Sequence, residues 1–281
     1  MSSGLKEHLG GRLEDLSEPA LVRAIEINLF ELFTTFRRWP QAEVHDDPDM
    51  LWTITNVAFP LFNSVLRARL ELHNIEAVIE ATLRRYKARN VPMLWWTGPT
   101  TRPENLGAYL KAHGLVEGDS TGMAVDLQAL NENLDRPPGL EVELVNDDES
   151  LQKWSEILTA AFPMPEFVAR TMFDFCSVLG FGKASPMRNY CGRLKGELVA
   201  TSSLFLGADA AGIWNVATMP NARGKGVGAA MTLEPLCEAR ALGYRVGILI
   251  SSQLGVGVYR KLGFRQYCKI GQYSWTNPAT A

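Results

Sequence analysis

The stretch Val216 Ala217 Thr218 Met219 Pro220 Asn221 Ala222 Arg223 Gly224 Lys225 Gly226 Val227 Gly228 is an apolar strand that breaks into a glycine-rich turn and then opens a helix. Glycine lets a backbone take left-handed or crowded conformations. Successive N–H groups then point at one anion, and the following helix adds the positive end of its dipole. Arg223 and Lys225 put charge beside the turn. The stretch therefore reads as a phosphate cradle, and its surroundings decide which phosphate.

Upstream, strands are expected at Arg188–Leu194, Glu197–Phe205 and Gly212–Ala217, the first two joined by a Lys195 Gly196 hairpin turn. Before them a strand, Leu140–Val145, leads to a helix started by Asp147 or Asp148 that carries Leu151, Trp154, Leu158 and Ala161 on one face. A loop and helix rich in Phe and Met, Phe162–Leu179, follow. Downstream of the cradle come a helix to about Leu242, a strand Arg245–Ile250, a helix ending at Leu262 and a strand from Phe264. Pro235 should kink the first of these helices or loosen its bond to the residue four earlier. Gly224 to Ala229 also fits the dinucleotide fingerprint G-x-G-x-x-A. That fold wants an acidic residue about 20 positions on, at the end of the next strand. Ser251 Ser252 Gln253 stand there instead, and antiparallel hairpins upstream do not suit a doubly wound parallel sheet.

A polar, proline-bearing segment, residues 128–139, separates this half from the one before it. In the N-terminal half, Leu21, Ile25, Leu29, Leu32 and Phe36 recur at helical spacing after a Ser17 cap, and Trp39 Pro40 ends the helix. A β-rich stretch Leu51–Leu70, a helix Asn74–Arg89, a strand Val91–Trp96, a short helix Glu104–His113 and a strand through Met123–Leu127 follow. Trp95 and Trp96 should point to opposite faces of their strand. The halves echo each other: in each, a helix ends, an apolar strand follows, and a short helix closes on Gly114 Leu115 or Gly263 Phe264. That pattern reads as a divergent duplication. The N-terminal copy has no glycine from Phe62 to Leu70, so it offers no backbone cradle.

At 281 residues, 46% of them hydrophobic, the chain supports two moderate domains with their own cores. A formal charge of −3 gives no broad basic field, so neither nucleic acid nor an anionic membrane is an expected partner. No apolar run reaches the about 18 residues of a membrane span, and Met1–Lys6 lacks a signal-peptide core. A cytoplasmic protein is expected. Cys176, Cys191, Cys237 and Cys268 form no Cys-x-x-Cys pair and read as buried free thiols. His8, His45, His73 and His113 lie in the N-terminal half without ligand spacing, so no metal is expected.

The C-terminal half resembles the GNAT superfamily of acyl-CoA N-acyltransferases. Arg223 Gly224 Lys225 Gly226 Val227 Gly228 matches the family's Q/R-x-x-G-x-G/A signature after a V-x-x-x-P lead, Val216 to Pro220. Val258 Tyr259 Arg260 Lys261 Leu262 Gly263 Phe264 resembles its Y-x-x-x-G-F motif. The resemblance runs from about Leu140 to Trp275, and the N-terminal half resembles a degenerate copy, so the whole is similar to tandem-GNAT proteins. It implies an α/β (α+β) fold of two GNAT-like domains, each a mixed, mostly antiparallel sheet flanked by helices. Residues 1–127 would form the degenerate domain without a phosphate loop, 128–139 the linker and 140–281 the acyltransferase domain.

The resemblance also implies the site. Acetyl-CoA, or another short acyl-CoA, is the cosubstrate and lies where two neighbouring strands splay apart. Its pantetheine arm pairs with the backbone of Ile213–Thr218, through Val216 and Thr218. Its pyrophosphate sits on Arg223, Gly224, Lys225, Gly226, Val227 and Gly228. Ser252 stands seven residues before the tyrosine, where the family often carries Asn, and reaches less far. Tyr259 stands where the family places its general acid. A phenol of free pKa about 10 keeps its proton at neutral pH and can give it to a departing thiolate. Leu110 occupies the equivalent place in the N-terminal half. No Glu lies on Gly212–Ala217 and no His in the C-terminal half, which leaves water or a carboxylate such as Asp174 or Asp209 to take the amine's proton. Trp154, Trp214, Phe173 and Phe181 either line an acceptor pocket or pack the core. The implied function is acyl transfer to a primary amine of an unidentified acceptor. A non-catalytic acyl-CoA-binding sensor or interaction module is the alternative, and retention of Tyr259 beside the loop favours the enzyme. Two such folds in one chain mimic the family's common dimer internally, so a monomer rather than a homodimer is expected.

Overall fold

Helix α1 (Glu18–Thr34) buries Leu21, Ile25, Leu29 and Phe33 along one stripe, and the three helical residues after Thr35 carry the chain to Trp39. In this computed structural model residues 12–162 and 164–276 are described; Met1–Lys6 and His8 lie outside them. Ser17 holds the N-cap position of α1, but its side chain makes no capping bond; its N–H donates to Asp15 instead.

The N-terminal half continues through β1 (Glu43–Asp47), β2 (Met50–Ile54), β3 (Ser64–Leu66), α2 (Ile75–Ala88), β4 (Met93–Thr97), α3 (Leu106–Ala112) and β5 (Val116–Asp126). β1 is an unannounced edge strand of largely exposed residues, without the apolar alternation that marks a strand in sequence. β5 starts at Val116, earlier than Met123, because its first four residues are exposed and show no alternation. The C-terminal half contributes β6 (Leu140–Leu144), α4 (Asp148–Ala161), α5 (Phe167–Leu179), β7 (Met187–Leu194), β8 (Glu197–Gly207), β9 (Ala210–Thr218), α6 (Val227–Ala241), β10 (Val246–Ser251), α7 (Val256–Lys261) and β11 (Arg265–Trp275). Asp147 caps α4 by accepting from the Ser150 N–H at 2.8 Å. Lys195 (φ 52°) and Gly196 (φ 87°) make the β7–β8 turn. α6 runs through Pro235 to Ala241.

The strands form one 11-stranded sheet in the order β1-β2-β3-β4-β11-β5-β10-β9-β8-β7-β6. Only β3–β4 and β9–β10 are parallel; every other neighbouring pair is antiparallel. The halves exchange their last strands. β11 lies between β4 and β5, and β5 lies between β11 and β10, so each half completes the other's sheet. Outward from the central β5–β11 pair β4 answers β10, β3 answers β9, β2 answers β8 and β1 answers β7, and β6 is an extra edge strand on the C-terminal side.

One core lies between α1, α4 and α5 and one sheet face; α6 covers the other face of the C-terminal half, and α2 that of the N-terminal half. Trp95 packs on the α2 side and Trp96 on the α1 side, as strand alternation requires. Cys176 and Cys191 are buried, whereas Cys237 and Cys268 are only half-buried. The expectation of four buried thiols fails at Cys237 on α6 and at Cys268 on β11, which packs against the α1-side core without being fully covered. Among the described residues, no helix is long and apolar enough to cross a membrane.

Candidate active site

The ladder between β9 and β10 stops early. Ala211, Gly212 and Ile213 pair with Gly247, Ile248 and Leu249, and beyond them β9 runs on to Thr218 without a partner on that edge. A bulge turns β9 away. Thr201 pairs with Ala217 and Ser203 with Trp214, so β9 carries one extra residue there. Asn215 takes a left-handed φ of 51°. Its carbonyl accepts from Thr201 Oγ1 at 2.8 Å, and its Nδ2 donates to Ser203 Oγ at 3.1 Å. Ser203 Oγ in turn donates to Asn189 Oδ1 at 2.7 Å.

Helix α1 supports this bulge from the other half of the chain. Trp214 Nε1 donates to Asn28 Oδ1 at 3.1 Å, and Asn28 Nδ2 donates to the Gly207 carbonyl at 2.8 Å. Asn28 passes so close to β9 that only glycine fits at Gly212, where a Cβ would collide with its amide.

The exposed edge of β9 leads into the glycine turn. Gly224 (φ 74°) and Gly226 (φ 82°) are left-handed, and Gly226 is the N-cap of α6. The first N–H groups of α6 have no partner within the helix and face off its positive end. No acidic residue lies in its first turn. Arg223 holds the turn's shape: its Nε donates to the Thr218 carbonyl at 2.9 Å and its Nη2 to the Ala161 carbonyl at 2.8 Å. Lys225 Nζ donates to the Asn221 carbonyl at 2.8 Å. Residues 128–139 pass against the turn, since a Cβ at Gly226 would stand 2.7 Å from the Asp135 carbonyl oxygen. At Gly228 a Cβ would meet only Thr218 Oγ1, at 3.7 Å.

Across the splay, Ser252 is exposed at the end of β10, and its carbonyl accepts from the Gly255 N–H at 3.0 Å. Tyr259 follows on α7, its ring 6.0 Å from that of Phe264 and packed on the same core as α6. Burial pushes its hydroxyl up to about 12, so the group holds its proton throughout the neutral range. An unpaired strand edge and an anion-seeking helix end thus adjoin at the glycine turn, and Tyr259 packs on the core that α6 covers.

The carboxylates weighed as bases are elsewhere. Asp174 is exposed on α5, and Asp209 sits in the β8–β9 turn, six residues from Asn215 along β9, or about 20 Å at strand rise. Trp154 is fully buried with its Nε1 donating to the Ser202 carbonyl at 3.3 Å, and Phe173 and Phe181 pack against the core. Trp214 does border a cavity. Asn28 and Asn215 escaped the sequence reading, because neither a left-handed Asn nor a cross-half contact leaves a local pattern. Among the described residues, no group of three or more His, Cys, Asp or Glu could hold a metal ion.

Residues 207–267 match the sequence profile described as "Acetyltransferase (GNAT) domain". No curated protein matches the chain significantly. Among solved structures, a GCN5-related N-acetyltransferase from Kribbella flavida superposes with a TM-score of 0.69 at 17% identity, covering 89% of this chain and 95% of its own. A GCN5-related N-acetyltransferase from Sphaerobacter thermophilus gives a TM-score of 0.59 at 15% identity, covering 92% of each chain. A tandem GNAT protein from the clavulanic acid biosynthesis pathway gives 0.57 at 11% identity, covering 93% of this chain and 95% of its own. The chain thus has the fold of these GNAT acetyltransferase structures along most of its length, and residues 207–267 of its C-terminal half match the GNAT acetyltransferase domain.

Proposed function

We propose that the C-terminal half transfers an acetyl or other short acyl group from acyl-CoA to a primary amine. The observation that carries this reading is the end of the β9–β10 ladder at Ile213–Leu249, which leaves β9 without a strand partner on that edge up to Thr218, whose carbonyl accepts from Arg223. An extended pantetheine arm fits that edge as an added strand fits a sheet, through the backbone of Val216 and Thr218. The turn from Arg223 to Gly228 suits a pyrophosphate: the left-handed glycines and the free N–H groups of α6 supply donors, and Arg223 and Lys225 supply charge. Ser252 borders the arm from the β10 side.

In the reaction the amine nitrogen bonds to the thioester carbonyl carbon, the carbon–sulfur bond breaks, and the departing thiolate takes the proton of Tyr259, whose phenolate then regains a proton from solvent. The amine's own proton passes to water, since Asp209 lies about 20 Å along β9 from the bulge and Asp174 is exposed to solvent on α5. The two fused halves favour a monomer, which light scattering checks.

Calorimetric titration with acetyl-CoA, with NAD as control, tests the binding, and release of free thiol across an amine panel tests the chemistry. Saturable acetyl-CoA binding with amine-dependent thiol release supports the proposal. Binding without release from any amine favours an acyl-CoA-binding module, and NAD binding alone overturns both.

A further inference from the structure

A cavity of about 180 Å³ lies on the α1 and α5 side of the sheet, against the bulge of β9. Phe33, Phe36 and Trp96 wall it from the N-terminal half, and Phe175, Trp214 and Asn215 from the C-terminal half. We propose that this cavity is the acceptor pocket, and that the acceptor is a small primary amine carried on a single apolar ring or a branched alkyl group. The inference rests on the acyl-CoA reading of the cleft and names the substrate class for the same site.

Position comes first. Trp214 and Asn215 are the residues at which β9 leaves β10. Their cavity is on the face of α1 and α5, while the glycine turn, α6 and Tyr259 belong to the opposite face. A thioester lying in the splay is therefore reached by the cosubstrate from one face and by the cavity's occupant from the other. An acceptor needs that opposed approach, because its nitrogen must meet the carbonyl carbon while the sulfur stays near Tyr259.

Size and polarity set the class. A cavity of about 150 Å³ lined by Leu, Ile and Phe takes up benzene and stays otherwise dry, so this one holds one ring and a short linker. No charged side chain lines it. A sugar or a second charge would lose its water without a partner there, at a cost of several kcal/mol. The polar lining group is Asn215, whose Nδ2 is committed to Ser203. Its side-chain oxygen, Oδ1, is left to accept from an amine, which places the amine at the bulge and the ring among the aromatics. Those walls brace one another: Phe36 and Phe175 approach edge to face at 4.5 Å between centroids, and Phe33 meets Trp96 at 6.0 Å. The half without a phosphate cradle thereby selects the acceptor.

The test is a comparison of acceptors by thiol release from acetyl-CoA. The expected result is a kcat/KM for 2-phenylethylamine at least tenfold above that for glucosamine or lysine. Leu32 and Leu61 also line the cavity, and both pack on the α1-side core and not on the α6-side one. Leu61→Trp, and independently Leu32→Trp, should raise the KM for 2-phenylethylamine at least tenfold and leave acetyl-CoA affinity unchanged. Equal or better use of glucosamine or lysine by the unaltered protein overturns the proposal without any variant. So does faster turnover of hexanoyl-CoA than acetyl-CoA that Leu61→Trp abolishes, since the cavity would then hold the acyl chain. Quenching of tryptophan fluorescence by 2-phenylethylamine reads the pocket without cosubstrate. If that signal appears while acetyl-CoA fails to bind, the cleft reading has failed, and with it the cavity's role as an acceptor site.

Discussion

At Ile213–Leu249 in one half and Val65–Trp95 in the other, the sheet reaches the same point twice. A parallel ladder ends, and two positions on the strand turns through a left-handed residue, Asn215 at φ 51° and Arg67 at φ 55°. Eleven residues then lead from Asn215 to α6, and seven from Arg67 to α2. From there the halves part. In the N-terminal half the gap closes again: Arg69 bridges Arg102, the Arg102 N–H donates to the Ala68 carbonyl at 2.9 Å, and the Leu70 N–H donates to the Arg102 carbonyl at 2.9 Å. Glu26 of α1 pins the same loop through the Thr100 N–H and hydroxyl. Among the described residues no such bridge forms in the C-terminal half, and the chain before α6 carries Gly224 and Gly226 whereas residues 67–74 before α2 contain no glycine. One topology yields a cleft or a plug, and a few backbone bonds decide which.

The sharpest way to break that comparison is at its chemical end. Tyr259→Phe should lower kcat by about 10²–10⁴-fold, the span of a general acid, and leave acetyl-CoA affinity unchanged. With the hydroxyl pushed up to about 12 by burial, the unaltered protein should show no alkaline loss of kcat up to about pH 10, since a phenol stays protonated below its pKa. An unchanged kcat in the variant would make Tyr259 a packing residue like its counterpart Leu110. Gly228→Leu comes next. Because a Cβ there meets only Thr218 Oγ1 at 3.7 Å, the variant should fold with its melting temperature unchanged. It should weaken acetyl-CoA binding about a hundredfold, by displacing one or two charge-assisted bonds of about 1.5–3 kcal/mol each. Gly226 is the poorer choice, since any side chain there strikes the Asp135 carbonyl and confuses binding with stability. The titration should also saturate at one acetyl-CoA per chain; two would show that the N-terminal cleft opens.

What could be read from the sequence is what is local. The Lys195 Gly196 turn, the Asp147 cap and the glycine turn each occupy a few consecutive residues, and Tyr259 stands in a short motif. The exchange of β5 and β11 left no such trace, because apolar alternation says which face of a strand is buried and nothing about its neighbours. The plug in the N-terminal half is made of backbone bonds from Arg102, to which any residue but proline could contribute. The bulge depends on Asn215, a residue type that tolerates a left-handed φ without announcing it.

Asn28 tests whether the two halves share one stability. Its side chain serves Trp214 Nε1 and the Gly207 carbonyl, both in the other half, and it is fully buried. Asn28→Ala orphans both groups and should cost about 2–3 kcal/mol. Urea unfolding should show that loss in a single transition. Two separate transitions, with only the N-terminal one shifted, would make the halves independent units and α1 a loosely held neighbour.

The smallest effect concerns the plug itself. Glu26 is 2% exposed, and burial raises its carboxyl above the ordinary 4.5, against the pull of the Thr100 bonds and of Arg102 and Arg69. A group whose pKa is higher folded than unfolded binds its proton more tightly in the native state. Its stabilising contribution is then complete below the unfolded value and fades as pH rises through the folded one. Glu26→Gln keeps an oxygen for the Thr100 donors and never ionises. Thermal melts should therefore show the variant gaining on the unaltered protein as pH climbs from the ordinary 4.5 through the raised folded value, with no further gain once the carboxyl is ionised in both states. A variant that loses ground over that window would mean that the attraction of Arg69 and Arg102 outweighs burial. In either case the Arg69–Arg102 bridge stays, so the variant should still bind a single acetyl-CoA; a second would show that the carboxylate, and not the backbone bonds, keeps the N-terminal cleft shut.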